Sequence, residues 1–292
     1  MKPLWRRPAV WLVAPWAISF VAFWLFPLGF ALYLAFTSYS PLGGDLSFVG
    51  PQNFVRLWGD GDFWQAARNT LLFVGVTVPV TTALALGLAL LLNSRIRGRG
   101  LFRAAFFFPS ITSLVVVALV WTALYTRDGV LSSVAVALGF TPPEHGFLLS
   151  TSTALPAIML LDVWAAVGYY MLLYLAALQA LPAEYFESAR LLAASRWQTL
   201  RFVIWPALRP MTLLVLVLNT IKSFQVFIEV YVMTRGGPLG STRTLVYFVY
   251  NEGLVKFDMG YASAAAFALF ALVAAVSLVL ARRLGFGKEI AV

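Results

Sequence analysis

Leu181 to Pro210 reads LPAEYFESARLLAASRWQTLRFVIWPALRP, a charged and punctuated stretch between two very apolar segments. Pro182 suits a first helical position. Glu184 and Glu187 fall in the turns where the positive end of a helix favours anionic side chains. Ser195 with Gln198 three residues later has the form of a capping box, so a second short helix is expected to begin there. The two helices meet around Leu192 to Ala194, and Pro206 and Pro210 interrupt the second and set the entry to the next apolar segment. Two readings of this hairpin stand on physical grounds. One is a rigid knob clear of lipid that a soluble partner can push. The other is an amphipathic surface helix, for which Trp197, Phe202 and Trp205 with Arg196, Arg201 and Arg209 are suited.

The rest of the chain is membrane-like. Hydrophobic residues make up 61% of it and charged residues 11%, and the mean hydropathy is +0.85. Soluble domains carry roughly a quarter charged residues. A bilayer crossing needs about 20 mostly apolar helical residues. Segments of that kind are expected at Val10–Thr37, Ala66–Leu92, Ala104–Leu124, Ala154–Gln179, Ala207–Thr234 and Gly260–Ala281. The fold class is therefore an all-α membrane protein of about six transmembrane helices, read as one domain over residues 1–292, with the hairpin of residues 182–206 between spans four and five. Pro15, Pro27 and Pro79 fall inside spans, where neighbouring helices can re-satisfy freed carbonyls, so they imply kinks rather than boundaries. Met1 to Arg7 before an apolar run resembles a secretory signal. Pro8 to Gly44 carries no charge, which is too long for such a signal core, and the first helix is expected to stay uncleaved.

The net charge of +9 is topogenic. Lys2, Arg6 and Arg7, then Arg95, Arg97, Arg99 and Arg103, then Arg190, Arg196, Arg201 and Arg209, then Arg282, Arg283 and Lys288 all fall on one side of a six-span topology. The other side holds Arg56, Arg68, Arg127, Arg235, Arg243 and Lys256. Cytoplasmic loops carry the Lys/Arg excess, so both termini and the hairpin are expected in the cytoplasm. A basic face explained this way needs no nucleic-acid partner. The arginines of residues 95–103 are first a topology signal and second a contact for anionic lipid or a motor. There are no cysteines, which excludes disulfides and thiolate metal sites. The single histidine, His145, has no companion at ligand spacing, so no metal site is expected.

Ionisable groups inside spans are costly and so become functional candidates. The fifth span holds Asn219, Lys222 and Glu229, whose offsets of three and seven share one helical stripe, with Ser223 and Gln225 flanking. Lys222 and Glu229 stand about 10 Å apart along such a helix, too far for an unaided pair. The stripe either faces a hydrated path where it hydrogen-bonds a polar solute, or makes an interhelical contact in which Asp162 neutralises Lys222. Tyr169 and Tyr170, with Tyr174 and Trp164, offer ring faces on which a solute could stack, though aromatics are also common in helix cores and interfacial belts.

The hairpin resembles the signature loop of ABC importer inner-membrane subunits, which reads E-A-A, three residues, Gly, nine residues, then I-x-L-P. The matching positions are Glu187-Ser188-Ala189, Ala193 in the glycine place, and Val203-Ile204-Trp205-Pro206, with no gap. Leu192 stands where the sugar-transporter branch usually has Asp, and Ala193 replaces Gly. WQAARNTLLF at Trp64–Phe73, RGRGLFR at Arg97–Arg103, TRGGPLGSTRTL at Thr234–Leu245 and FDMGYASAA at Phe257–Ala265 resemble the carbohydrate-uptake permeases, and Gly236-Gly237-Pro238 resembles the maltose and glycerol-3-phosphate branch. The resemblance implies a bacterial or archaeal cytoplasmic-membrane permease. Its partners would be a second homologous permease subunit, two cytoplasmic ATPase subunits, an extracytoplasmic solute-binding protein and a carbohydrate substrate. Glu184, Glu187, Ser188, Ala189, Ala193, Ser195 and Pro206 would couple it to the ATPases.

The chain contains no G-x-x-x-x-G-K-[ST] phosphate loop, so ATP and Mg are expected on the partner subunits, with no cofactor in this chain. A membrane-embedded enzyme would need convergent acids, bases or metal ligands. Only Asp162 and Glu229 are in-span carboxylates, and no catalytic residue is assigned. An autonomous secondary transporter or channel would have no reason for the hairpin.

Overall fold

The computed structural model describes residues 8–43, 46–94 and 97–284. Lys2, Arg6, Arg7, Asp45, Arg95 and Lys288 lie outside the described residues. In chain order the helices are α1 Pro8–Phe20, α2 Phe26–Ala35, α3 Gln52–Gly59, α4 Gly61–Asn93, α5 Arg99–Ile111, α6 Leu114–Leu124, α7 Val130–Ala137 and α8 Ala154–Gln179. They continue with α9 Ala183–Leu191, α10 Arg196–Thr199, α11 Trp205–Ala207, α12 Arg209–Phe224, α13 Ile228–Met233, α14 Leu245–Tyr250 and α15 Met259–Leu284. Two short strands, β1 Thr37–Ser38 and β2 Ser47–Phe48, pair antiparallel with Thr37 opposite Phe48.

Among the described residues, five helical stretches are long and apolar enough to cross a membrane: Trp11–Ala35, Gly61–Asn93, Ala154–Gln179, Arg209–Met233 and Met259–Arg283. The expected third span is not one straight helix. Arg99–Ile111 and Leu114–Leu124 meet at 98°, and the count reaches six only if this bent pair is one crossing. The break comes two residues after Pro109, where Thr112 closes α5 by donating to the Pro109 carbonyl at 3.3 Å. Thr112 and Ser113 then run extended.

Two other prolines are absorbed without a break. π-helical turns at Val21–Leu25 and Leu200–Ile204 each end two residues before a proline, Pro27 and Pro206. There Phe26 and Trp205 donate to carbonyls five residues back, Val21 and Leu200, a wider turn that accommodates the missing donor. Pro206 therefore does not interrupt the second hairpin helix as expected; the chain stays helical from Arg196 to Ala207 and turns at Leu208. Pro182 is likewise the N-cap of α9 rather than its first residue.

The chain forms two compact units. The first joins the segment up to Phe63 with Phe248–Phe270. Here the Asn53 amide donates to the Ala35 and Thr37 carbonyls, each at 2.9 Å, fixing α3 to the end of the first span. Arg56 pairs with Asp258 at 2.7 Å and covers the Tyr261 ring at 3.8 Å, while the Tyr261 hydroxyl donates to Asp60.

The second unit runs Trp64–Tyr247 and resumes at Ala271. Its centre is α8, the most buried of the spans. One cluster around Phe73, Ile158, Leu161 and Val230 and another around Ala89, Met171, Tyr174 and Val215 share α8 as their common wall. α5 lies hardest against it. A methyl group added at Gly168 would stand 1.9 Å from the Phe106 carbonyl oxygen, so only glycine permits this approach. The 234–244 segment is stapled to α4 by side-chain amides: Asn69 donates to the Gly240 and Arg243 carbonyls at 2.8 and 3.0 Å, and Gln65 to the Leu239 carbonyl at 3.1 Å.

Candidate functional site: a capped hairpin and a polar cavity

The hairpin forms as two short helices with specified ends. α9 closes in a Schellman arrangement: the Ala194 amide donates to the Ala189 carbonyl at 2.9 Å and the Ala193 amide to the Arg190 carbonyl at 3.0 Å. That geometry places Ala193 at φ 52, the left-handed region that glycine enters without steric cost. The departure from glycine thus leaves the turn type intact and adds local strain. α10 opens with both halves of the capping box. Ser195 Oγ accepts from the Gln198 amide at 3.2 Å, and Gln198 Oε1 accepts from the Ser195 amide at 2.7 Å.

Glu184, Glu187 and Ser188 are exposed on α9, whereas Ala189 is buried. At the tip, Leu191 and Leu192 are 88% and 81% exposed. Between the arms lies a cavity of about 640 Å3 lined by Ser188, Ala189, Leu192, Gln198, Phe202 and Pro206. The hairpin therefore presents acids, an apolar tip and a groove on one preformed element.

The in-span polar residues gather differently from the expected stripe. The fifth span is interrupted at Gln225–Phe227, between α12 and α13, so Glu229 is not in helical register with Asn219 and Lys222. Lys222 Nζ donates to Asp162 Oδ1 at 2.5 Å, joining α12 to α8. Glu229 is buried and close enough to Asp162 and Lys222 to interact with both electrostatically. Asn219 is buried and donates to the Val78 carbonyl at 3.4 Å; Gln225 is exposed, and its amide caps α12 on the Lys222 carbonyl.

Beside the Lys222–Asp162 pair, a cavity of about 360 Å3 is lined by Pro109, Ser110, Thr112, Tyr169, Tyr170 and Lys222. The Tyr169 and Tyr170 rings meet edge to face at 5.2 Å. Tyr169 is exposed to the cavity side while Tyr170 is buried; Tyr174 lies wholly in the core, and Trp164 packs on Trp121. Ser110 and Thr112 did not emerge from the sequence reading. Ser110 Oγ donates to the Ala165 carbonyl at 2.7 Å and accepts from the Tyr169 amide at 3.2 Å, so it enters the α8 ladder between two groups one turn apart. The P-S-I-T-S run at residues 109–113 was the available signal, a polar break in an otherwise apolar span. An ammonium, hydroxyls and aromatic faces line one void, with the carboxylate of Asp162 buried behind the ammonium, a set that can pair the donors and acceptors of a polar solute and offer it a ring surface. Among the described residues no group of three or more His, Asp or Glu side chains could hold a metal ion, and His145 is exposed.

Residues 80–285 match the family described as binding-protein-dependent transport system inner membrane component. The chain is 35% identical over 273 residues to the lactose transport system permease protein LacF of Rhizobium radiobacter, covering 91% of each. It is 33% identical to the diacetylchitobiose uptake system permease protein NgcF of Streptomyces coelicolor, over 92% of this chain and 80% of that one. Its fold is similar to a chain of a bacterial ABC transporter involved in alginate import, with a TM-score of 0.82, 22% identity, and coverage of 96% of this chain and 97% of the other.

Proposed function

Because the chain belongs to the family of binding-protein-dependent transport system inner membrane components, we propose that it is one permease subunit of an ATP-driven importer for a carbohydrate. It acts as a single permease domain in a bacterial or archaeal cytoplasmic membrane, with both termini and the hairpin in the cytoplasm. A second homologous permease completes the translocation pathway, and two ATPase subunits carry the ATP and Mg. An extracytoplasmic binding protein delivers the solute.

The observation that carries this reading is the hairpin. Its turn and cap geometry is locally satisfied, which suits it to move as a body, and Leu191, Leu192 and Glu187 are exposed at its tip and first arm, where a soluble partner can dock. Closure of the ATPases on the hairpin, driven by ATP, shifts the population between outward and inward access, because ATP binds the two states with different affinity. No residue of this chain performs chemistry. Its own contribution is the path: Lys222, Tyr169, Tyr170 and Ser110 around one cavity, with Asp162 behind Lys222 and Asn219, Gln225 and Glu229 along the same broken span. The curated relatives named for lactose and diacetylchitobiose support a sugar as the solute.

Reconstitution tests the reading. The chain with its partner permease, ATPases and binding protein should show sugar-stimulated ATP hydrolysis across a panel of mono-, di- and oligosaccharides. Solute movement by the purified chain with no ATPase present would overturn it.

A further inference from the structure

The second arm of the hairpin has a face that coupling leaves idle. Gln198, Phe202 and Pro206 line the groove between the arms, whereas Trp197, Arg201 and Trp205, recurring every fourth residue, line a separate cavity of about 510 Å3 against α4. Its opposite wall includes Ala83, Gly87 and Leu90, one ridge of a span-length apolar helix. Small residues at 83 and 87 hollow that ridge, and nothing lies within 4 Å of the place where a Gly87 side chain would begin. Leu90 is within one turn of Asn93, where α4 ends, so the cavity sits at an end of the span rather than at mid-depth. Trp197 and Trp205 are 65% and 44% exposed. Arg201 is exposed and has no carboxylate partner among the described residues.

We infer that this groove is a binding site for an anionic phospholipid, with an acyl chain along Ala83, Gly87 and Leu90 and the phosphate at Arg201. The apolar wall belongs to a membrane span, so a lipid reaches it sideways without leaving the bilayer. Indole rings favour the headgroup level, which is where a span end puts Trp197 and Trp205. A guanidinium with no carboxylate partner offers a planar fork of donors that fits phosphate oxygens. Net attraction then selects an anionic headgroup, because a zwitterionic lipid neutralises its phosphate with its own ammonium. Basic pockets between helices at the cytoplasmic side recognise such headgroups. The bound lipid ties the hairpin's second arm to α4 on a face that carries none of the coupling residues named above, so it steadies the lever without occupying it. The inference needs α4 to cross the membrane and does not depend on which solute is carried.

The test uses the full chain in nanodiscs of phosphatidylcholine doped with either phosphatidylglycerol or phosphatidylcholine carrying a photoactivatable acyl chain, with labelled peptides mapped by mass spectrometry. Phosphatidylglycerol is expected to label residues 83–90 and 197–205 several-fold more than phosphatidylcholine. Arg201→Gln should abolish that preference, Arg201→Lys should keep most of it, and Gly87→Leu should lower labelling by both lipids. Melting temperature identifies any variant that fails to fold, and Arg201→Lys then carries the comparison with wild type. Equal labelling by the two lipids, or an unchanged preference in Arg201→Gln, overturns the site. Loss of labelling when ATPase subunits are added assigns this face to a protein partner and also overturns it.

Discussion

Lys222 on α12 reaches the carboxylate of Asp162 on α8 at 2.5 Å, and the two side chains differ sharply in exposure, 42% against 2%. The carboxylate is thus buried against the centre of the second unit, while the ammonium keeps contact with the adjoining cavity. A buried anion requires a counter-charge for solvation reasons alone. This pair accordingly holds α8 and α12 together and also sets the charge at the cavity wall.

Removing only the cation should expose that dependence. Lys222→Ala is expected to destabilise by about 2 kcal/mol, below the range for a fully buried pair because Lys222 keeps part of its hydration. Adding Asp162→Asn should restore most of the loss. Thermal unfolding of the single and double variants in detergent measures both, and an uncompensated double variant would show that the pair is not the source of the stability.

Ala193 at φ 52 predicts a gain from glycine. Ala193→Gly should stabilise the hairpin turn by about 1 kcal/mol, the usual cost of an L side chain in that region. Slower hydrogen exchange over residues 189–198 would report it. Ala193→Val should do the opposite, since a β-branched side chain tolerates the left-handed region least.

Glu187 tests coupling separately from folding. Its side chain is exposed on α9, so Glu187→Arg is expected to leave the subunit folded and assembled while ATP-dependent uptake falls. Co-purification with the ATPases reads the first part and vesicle uptake the second. Uptake at the wild-type rate would remove Glu187 from the coupling role.

Asp60 sets a pH expectation for the first unit. Burial raises its pKa, but the Tyr261 hydroxyl, the Asp62 and Phe63 amides and the Arg56 charge outweigh that, and the net shift is downward. A depressed carboxylate contributes stability that is fully present above its unfolded value, about 3.9, and is lost as pH falls through the lower folded value. Asp60→Asn should therefore flatten the acid limb of the melting curve below about pH 4 and leave the dependence above pH 6 unchanged. Melting temperature against pH, compared between wild type and variant, decides it.

What could be read from the residues alone was whatever depends on a short window. Apolar runs of span length, the Ser195–Gln198 cap and the hairpin ends at Leu191 and Arg196 are decided by neighbours within a turn or two, because hydropathy and capping are local interactions. Three things needed the packed chain. The bend after Pro109 is set together with Ser110, which finds its partners 55 and 59 residues away on α8. The break at Gln225–Phe227 removes Glu229 from the stripe that helical periodicity implied. The close approach at Gly168 likewise depends on Phe106, a residue of another helix. Such pairings follow from which faces of α5, α8 and α12 meet. Inside a span nearly every face is apolar, so periodicity carries little information about which one turns inward, and packing makes that choice.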